Sequence, residues 1–324
     1  LARNDSEHVV TSLPSLAGYE NYRVWRADVS RWLPAALDIA GCHGFACAAP
    51  HVFGTGTNLV VALDARMILK IFPPMLRSQF VSERGSLSEL RGRLSLPIPE
   101  IVAEGERDGW PYLVITRLDG VAGSEVWPSL PEEQKERVLR QIGATIAEVQ
   151  RAPPGALCEI EPRWDEFMRA QMAGCRARHE RLGLDPKFLD GLDDLLRDAA
   201  ELIPLDPPVI LTGEYIPENL LLAENGGQWR LAGLIDFGDV LTGWGEYDLL
   251  GPSAFMAAGR PRRVRSLFEG FGYAPADVNF ALKRRLMALM LLHRASDPVR
   301  HICIEEWQQK ADDLEQLQEL IWPG

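Results

Sequence analysis

The chain has 324 residues, of which 46% are hydrophobic and 25% charged, so it can form one or two cored domains without covalent staples. Its net charge of −12 argues against nucleic-acid binding by phosphate neutralisation and suits a cationic small-molecule partner. The five cysteines, Cys42, Cys47, Cys158, Cys175 and Cys303, are scattered without a CxxC pair, which excludes a disulfide framework and fits reduced thiols in a cytoplasmic protein. The opening LARNDSEHVV has no long apolar core, so no signal peptide is expected. The most apolar helical run, LMALMLL, is too short to cross a membrane.

Residues 1 to about 20 are polar, with Ser, Pro and Gly, and are expected to form a loose arm. From Tyr22, apolar side chains recur at helical steps (Trp25, Val29, Trp32, Leu33, Leu37), which predicts a helix ending near Gly41. HVFGTGTNLVVALDARMILKIFPP then alternates strand-like runs with a turn, Gly54-Thr55-Gly56-Thr57-Asn58. Such a loop lets backbone N–H groups approach phosphate oxygens, although a tight hairpin explains the same glycines. Lys70 stands alone in the apolar run ILKIF, so it must snorkel or pair. SQFVSERGSLSELRGRL reads as a helix with Phe80, Leu87, Leu90 and Leu94 inward. LPIPEIVAEGERDGWPYLVITRLDG reads as a strand, a turn at Asp108-Gly109, an apolar strand from Tyr112 to Ile115, and a break at Asp119-Gly120.

Beyond that break the pattern turns helical. Ser129 to Glu132 reads as a capping box for a helix with Val138, Ile142, Ile146 and Val149 on one face. Trp164, Phe167, Met168 and Met172 mark a second helix, on which His179, among Arg and Glu, is expected in solvent. Asp185-Pro186 starts a third, with Leu189, Leu192, Leu196 and Leu202 inward.

The most informative stretch runs from Val209 to Leu250. VILT leads to Glu214, Asn219 opens NLLL, ENGG makes a turn, and WRLAGLIDFGD carries Asp236 near its end. Two short β-runs joined by Gly-Gly read as a hairpin, which brings Asn219 and Asp236 to one end with Glu214 on the loop leading in. Two carboxylates and an amide oxygen at one edge suit a hard cation and the activation of a hydroxyl. Short helices follow. A long buried helix over ADVNFALKRRLMALMLLHRA is broken by Asp297-Pro298, and EEWQQKADDLEQLQELIW reads as a final amphipathic helix. Strands first and helices later give an α+β, two-lobed layout.

The loop Thr212 to Asn219, its following strand and IDFGD resemble the phosphotransfer site of the aminoglycoside phosphotransferase family, which has a protein-kinase-like fold. The family's usual loop reads HGDxxxxN; here the His position is Thr212 and the acid is Glu214. Short matches (the GTN turn, WPYLV-R-x-x-G, IxDFxDVxxG and the late LH segment) look closest to hygromycin phosphotransferases. The resemblance implies a nucleotide-binding lobe over residues 1–117 and a helical lobe over 118–324 that carries the catalytic loop and the acceptor site. It implies ATP or GTP as donor, with Gly54, Thr55, Gly56, Asn58 and Lys70 at the phosphates. Glu83 is the Lys70 partner, with Glu89 as the competing choice, and backbone groups near Thr116 and Leu118 hold adenine. By the same resemblance, Asn219 and Asp236 are expected to bind Mg²⁺, and Glu214 to take the proton of a small-molecule hydroxyl. Glu246, Glu305 and Glu306 are acceptor-site candidates. A non-catalytic nucleotide-binding relative and a kinase of another hydroxyl metabolite or macrolide are the competing readings.

Overall fold

The computed structural model describes residues 12–199 and 208–324; Leu202 and most of the expected N-terminal arm lie outside them. The chain divides into two compact units. One takes residues up to 88 together with 99–118, and the other takes 89–98 together with residues from 119 onward.

In the first unit, α1 (Tyr19–Arg26) and α2 (Leu33–Cys42) precede β1 (His51–Phe53), β2 (Leu59–Ala62), β3 (Met67–Ile71), α3 (Arg77–Leu90), β4 (Ile101–Arg107) and β5 (Trp110–Thr116). The strands form one antiparallel sheet in the order β1-β2-β3-β5-β4. β5 is apolar on both faces and buried from Trp110 to Ile115, so it lies inside the sheet, whereas the alternating β4 takes an edge. Asp108 and Gly109 both have positive φ, 53° and 84°, as a two-residue hairpin turn requires. The single N-terminal helix expected from periodicity is split. The Asp28 carboxylate accepts the Ser30 N–H at 3.2 Å and caps a separate turn at Val29–Arg31. Ala35, Ala36, Ile39 and Ala40 of α2 share a core with Leu59, Val61, Leu69, Ile71 and Val114. Each large aliphatic side chain there contributes about 1.5–3 kcal/mol. Residues just before α1 are not loose. Leu13 is buried and gives its N–H to the Asp108 carboxylate at 2.8 Å, while Trp110 donates to the Pro14 carbonyl at 3.0 Å.

The second unit begins with β6 (Val121–Ala122), α4 (Gly123–Val126), α5 (Glu132–Arg151), α6 (Trp164–Arg181), α7 (Pro186–Asp190) and α8 (Leu192–Ala199). It continues with β7 (Val209–Leu211), β8 (Leu220–Asn225), β9 (Gln228–Leu234), β10 (Leu241–Gly243) and α9 (Leu250–Pro252). It ends with α10 (Pro261–Phe271), α11 (Phe280–Leu292), α12 (Pro298–His301), α13 (Trp307–Lys310) and α14 (Leu314–Ile321). Its strands form two small sheets, β10-β7 and β6-β8-β9. Residues 89–98 group with this unit because the Ser95 N–H and hydroxyl both donate to Glu148 on α5, and the Leu234 N–H donates to the Pro97 carbonyl.

Four expectations fail here for local reasons. The capping box does not form: the Ser129 hydroxyl turns back to the Val126 carbonyl at 3.0 Å, and Pro131 takes the N-cap. His179 is buried, not solvated, and its Nε2 lies 2.9 Å from the Leu291 carbonyl. α11 stops at Leu292, ahead of Asp297. The last helix is divided because the Asp313 carboxylate accepts the Gln316 N–H at 2.7 Å and starts α14 afresh. No described helix is long and apolar enough to cross a membrane.

Candidate active site

β8 and β9 pair antiparallel, with Leu220 opposite Leu234. Gly226 and Gly227 close the hairpin with φ of 60° and 77°, values that side chains resist. At the open end the Ile235 N–H donates to the Asn219 carbonyl at 3.0 Å, which sets Asn219 beside the residue preceding Asp236. Asp236 has φ 66°, in the left-handed region, which costs a non-glycine residue about 1–2 kcal/mol and is eased for Asp. Strain of this kind collects at functional sites.

The loop carrying Glu214 leaves β7, which pairs with β10. Buried Asp248 fixes its start by accepting the Thr212 N–H at 3.0 Å and the Gly213 N–H at 2.8 Å. Burial pushes the Asp248 carboxyl up to about 7, against the pull of those N–H groups. Gly213 has φ 76°, and a Cβ there would lie 3.2 Å from the Asp239 carbonyl oxygen, so the position needs glycine. His293, just past α11, places Nε2 3.3 Å from the Gly213 carbonyl while its Nδ1 accepts the Ala295 N–H at 3.2 Å. Its ring stacks on Tyr247 with centroids 4.5 Å apart. Burial lowers its pKa to about 4, so the ring is neutral and Nε2 carries the donated proton.

The Asn219 amide nitrogen donates to both the Glu214 carbonyl and Glu214 Oε2, each at 3.2 Å. Burial, followed by the charges of Asp239 and Asp236, pushes the Glu214 carboxyl up to about 8. The structure therefore brings Glu214, Asn219 and Asp236 together and adds Asp239, which the sequence reading left without a role. Arg294 Nη1 lies 2.5 Å from Asp239 Oδ1. Glu246 is not open to an acceptor: Tyr273 and Arg285 donate to its Oε1 at 3.0 and 2.9 Å. Glu305 and Glu306 are exposed. Among the described residues, no group of three or more His, Cys, Asp or Glu is arranged to hold a metal.

In the first unit, Lys70 Nζ lies 2.5 Å from Glu83 Oε2, with both side chains buried. Glu89 is engaged elsewhere, accepting the Ala156 N–H at 3.4 Å. The Gly-rich turn joins β1 to β2 and is tied to α1: Tyr22 donates to the Thr57 carbonyl at 2.7 Å and Arg26 to the Gly56 carbonyl at 2.5 Å. Gly56 has φ 80°, whereas Gly54 and Thr55 lie exposed at its tip. Asn58 donates to Gln79 Oε1 at 3.1 Å, and its own Oδ1 is buried without a partner among the described residues. The Thr116 N–H is committed to the Glu100 carbonyl at 2.9 Å, and Leu118 is half-buried at the end of the unit.

An antiparallel sheet holding a buried Lys–Glu pair, and a helical unit with an acid–amide loop ahead of a hairpin, define a small-molecule phosphotransferase of protein-kinase-like α+β fold. The chain belongs to the phosphotransferase enzyme family (APH), whose family model matches residues 54–286. It is similar in structure to wild-type aminoglycoside 2'-phosphotransferase-IIIa in complex with GDP, with TM-score 0.66 and 18% identity over 89% of this chain and 97% of that one. It also resembles APH(2")-IIia in complex with GDP and kanamycin, with TM-score 0.64 and 19% identity over 80% and 89% of the two chains. Macrolide 2'-phosphotransferase MphH from Brachybacterium faecium gives TM-score 0.57 and 16% identity over 84% and 98%. At these identities the likeness is one of fold. No curated protein sequence matches the chain.

Proposed function

We propose that the protein transfers the γ-phosphoryl group of ATP or GTP to a hydroxyl of a small cationic acceptor, with an aminoglycoside as the substrate class and hygromycin-type compounds as its first members to try. The observation that carries this reading is the Glu214–Asn219–Asp236 set at the open end of one hairpin. Similar structures solved with GDP and kanamycin support the donor and acceptor classes.

Magnesium fits the residues present. Asn219 spends its amide nitrogen on Glu214, which leaves Oδ1 as an oxygen donor on a residue whose carbonyl is bonded to Ile235, the neighbour of Asp236. The crowding of Glu214 by Asp236 and Asp239 marks a surplus of negative charge that a divalent cation relieves. Two protein ligands suffice, because Mg²⁺ keeps waters and takes substrate phosphates. When bound, it neutralises charge on the β- and γ-phosphates. Lys70, held by Glu83, binds nucleotide phosphates together with backbone N–H groups of Gly54 to Asn58. Backbone groups near Thr116 and Leu118 hold adenine, other than the Thr116 N–H, which the Glu100 carbonyl already takes. The unit of residues up to 88 with 99–118 thus serves the nucleotide, and the unit of 89–98 with 119 onward carries the base and acceptor. Glu214 orients the acceptor hydroxyl and takes its proton, for which its carboxyl must be charged.

The extra methylene of Glu214 favours one other reading, a nucleotide-binding protein without turnover. A coupled screen for ADP or GDP release against aminoglycosides, macrolides and polyols separates the two. Release with aminoglycosides is expected, and Glu214→Gln lowers it by about a hundredfold or more while nucleotide binding persists. Magnesium–nucleotide binding without release from any acceptor would establish the binding protein instead.

A further inference from the structure

Tyr22 and Arg26 stand four residues apart on α1, a spacing that puts them on one face of the helix. Both reach the Gly-rich turn between β1 and β2. The Tyr22 hydroxyl donates to the Thr57 carbonyl at 2.7 Å, and Arg26 Nη1 donates to the Gly56 carbonyl. The guanidinium also lies 5.7 Å from the Tyr22 ring centroid, so each donor supports the other. α1 has a seat of its own, independent of the turn. The rings of Tyr22 and Trp25 lie 5.9 and 5.4 Å from the buried Trp110 ring of β5, and Trp32 donates to the Arg26 carbonyl at 3.0 Å. α3 grips the turn by its side chains. Thr57 Oγ1 and Asn58 Nδ2 donate to Gln79 Oε1 at 3.3 and 3.1 Å, and Gln79 stands one helical turn before Glu83, the partner of Lys70.

Peptide geometry converts the two carbonyl bonds into a direction. In a trans peptide the carbonyl and the N–H of the following residue point opposite ways, and both linkages here are trans. Holding the Gly56 and Thr57 carbonyls toward α1 therefore aims the N–H groups of Thr57 and Asn58 away from it. Neither N–H has a backbone or side-chain acceptor among the described residues. Successive N–H groups turned to one side suit an anion such as a phosphate oxygen. Unrestrained, a turn containing Gly54 and Gly56 would not keep that aim, because glycine opens more backbone conformations than any other residue. We propose that α1 clamps the Gly-rich turn, with Tyr22 and Arg26 as positioning residues that aim the Thr57 and Asn58 N–H groups at the nucleotide phosphates. This rests on the reading of the turn as a phosphate-binding loop. It goes beyond that reading, since α1 precedes residues 54–286, which the family model matches.

Equilibrium dialysis of the full chain tests this by comparing magnesium–ATP and magnesium–GTP with adenosine and guanosine, which carry no phosphate. Tyr22→Phe keeps the ring against Trp110 and removes only the hydroxyl donor, and Arg26→Met keeps an unbranched side chain without the guanidinium. Each variant should weaken triphosphate binding about fivefold, the size of one lost hydrogen bond, while nucleoside binding stays within about twofold of the native value. Arg26→Lys retains a donor and should recover part of the loss. A merely structural role would loosen the whole unit and weaken nucleoside and triphosphate alike, and that result overturns the proposal. Triphosphate affinity unchanged in both variants overturns it too. If Tyr22→Phe does not fold, Arg26→Met and Arg26→Lys decide by the same comparison. Failure of the phosphate-binding reading looks different: the native chain itself would then hold nucleoside and triphosphate equally tightly, which removes the role of the turn and the clamp with it.

Discussion

The neutral His293 ring donates to the Gly213 carbonyl and stacks on Tyr247, so protonating it has a cost that depends on pH. Its pKa is about 4 when folded and about 6.5 when unfolded, so between these values the unfolded chain binds more protons. The stabilisation is full above the upper value and is lost as pH falls toward the lower one. Asp248, raised to about 7 by burial, works with the opposite sign. His293→Phe keeps a stacking ring without the titration, and the Asp248 contribution is common to both proteins. The stability advantage of the native chain over His293→Phe in urea should therefore shrink from about pH 7.5 to about pH 4.5, and a pH-independent difference would count against the assignment. Sequence made some of the site legible and not the rest. Asn219 and Asp236 lie near each other along the chain on either side of a recognisable turn, and Lys70 breaks an apolar strand. Asp239 and Arg294 are 55 residues apart, and no spacing rule joins them. His179 turns inward although its neighbours along the helix are charged, and such neighbours do not reveal which residues face the core.

Glycine allows a close helix packing in the second unit. α5 crosses α10 where a Cβ on Gly143 would run into the Leu267 carbonyl, and one on Gly270 into the Arg140 carbonyl. Both obstacles are backbone, so neither can rotate away. Gly143→Ala should thus destabilise the fold by about 1–3 kcal/mol, despite the better helix propensity of alanine. Thermal unfolding checks the sign: a raised Tm would mean that the helices separate without strain. The stripe Val138, Ile142, Ile146 and Val149 located α5 from sequence because four buried positions repeat at helical spacing. Periodicity missed the interruptions at Asp28 and Asp313, where a short carboxylate caps a new turn inside an apolar pattern. Long-range contacts escaped it for the same reason. The Ser95–Glu148 bonds that attach residues 89–98 to α5 leave no trace in either local pattern.

The whole chain carries 46 acidic and 34 basic residues, a net charge of −12, and this field acts on any charged acceptor before contact. Charge near the loop adds to it, since Glu214, Asp236 and Asp239 cluster with Arg294 as the cation bonded to Asp239, whereas Glu246 is already paired with Arg285. A polycationic acceptor should be drawn in by both the global and the local field, and a neutral polyol by neither. The Debye length shortens from about 30 Å at 0.01 M salt to about 8 Å at 0.15 M, so added salt removes the distant part of the attraction first. For an aminoglycoside, kcat/KM should fall severalfold across that range. The change should sit in KM, because kcat reports on the bound complex, where groups in contact are little screened. Initial rates at several salt concentrations decide the point, with a neutral acceptor as control for salt effects on nucleotide and magnesium binding. If the cationic and neutral acceptors respond alike, the acidity of the chain serves solubility and not substrate capture.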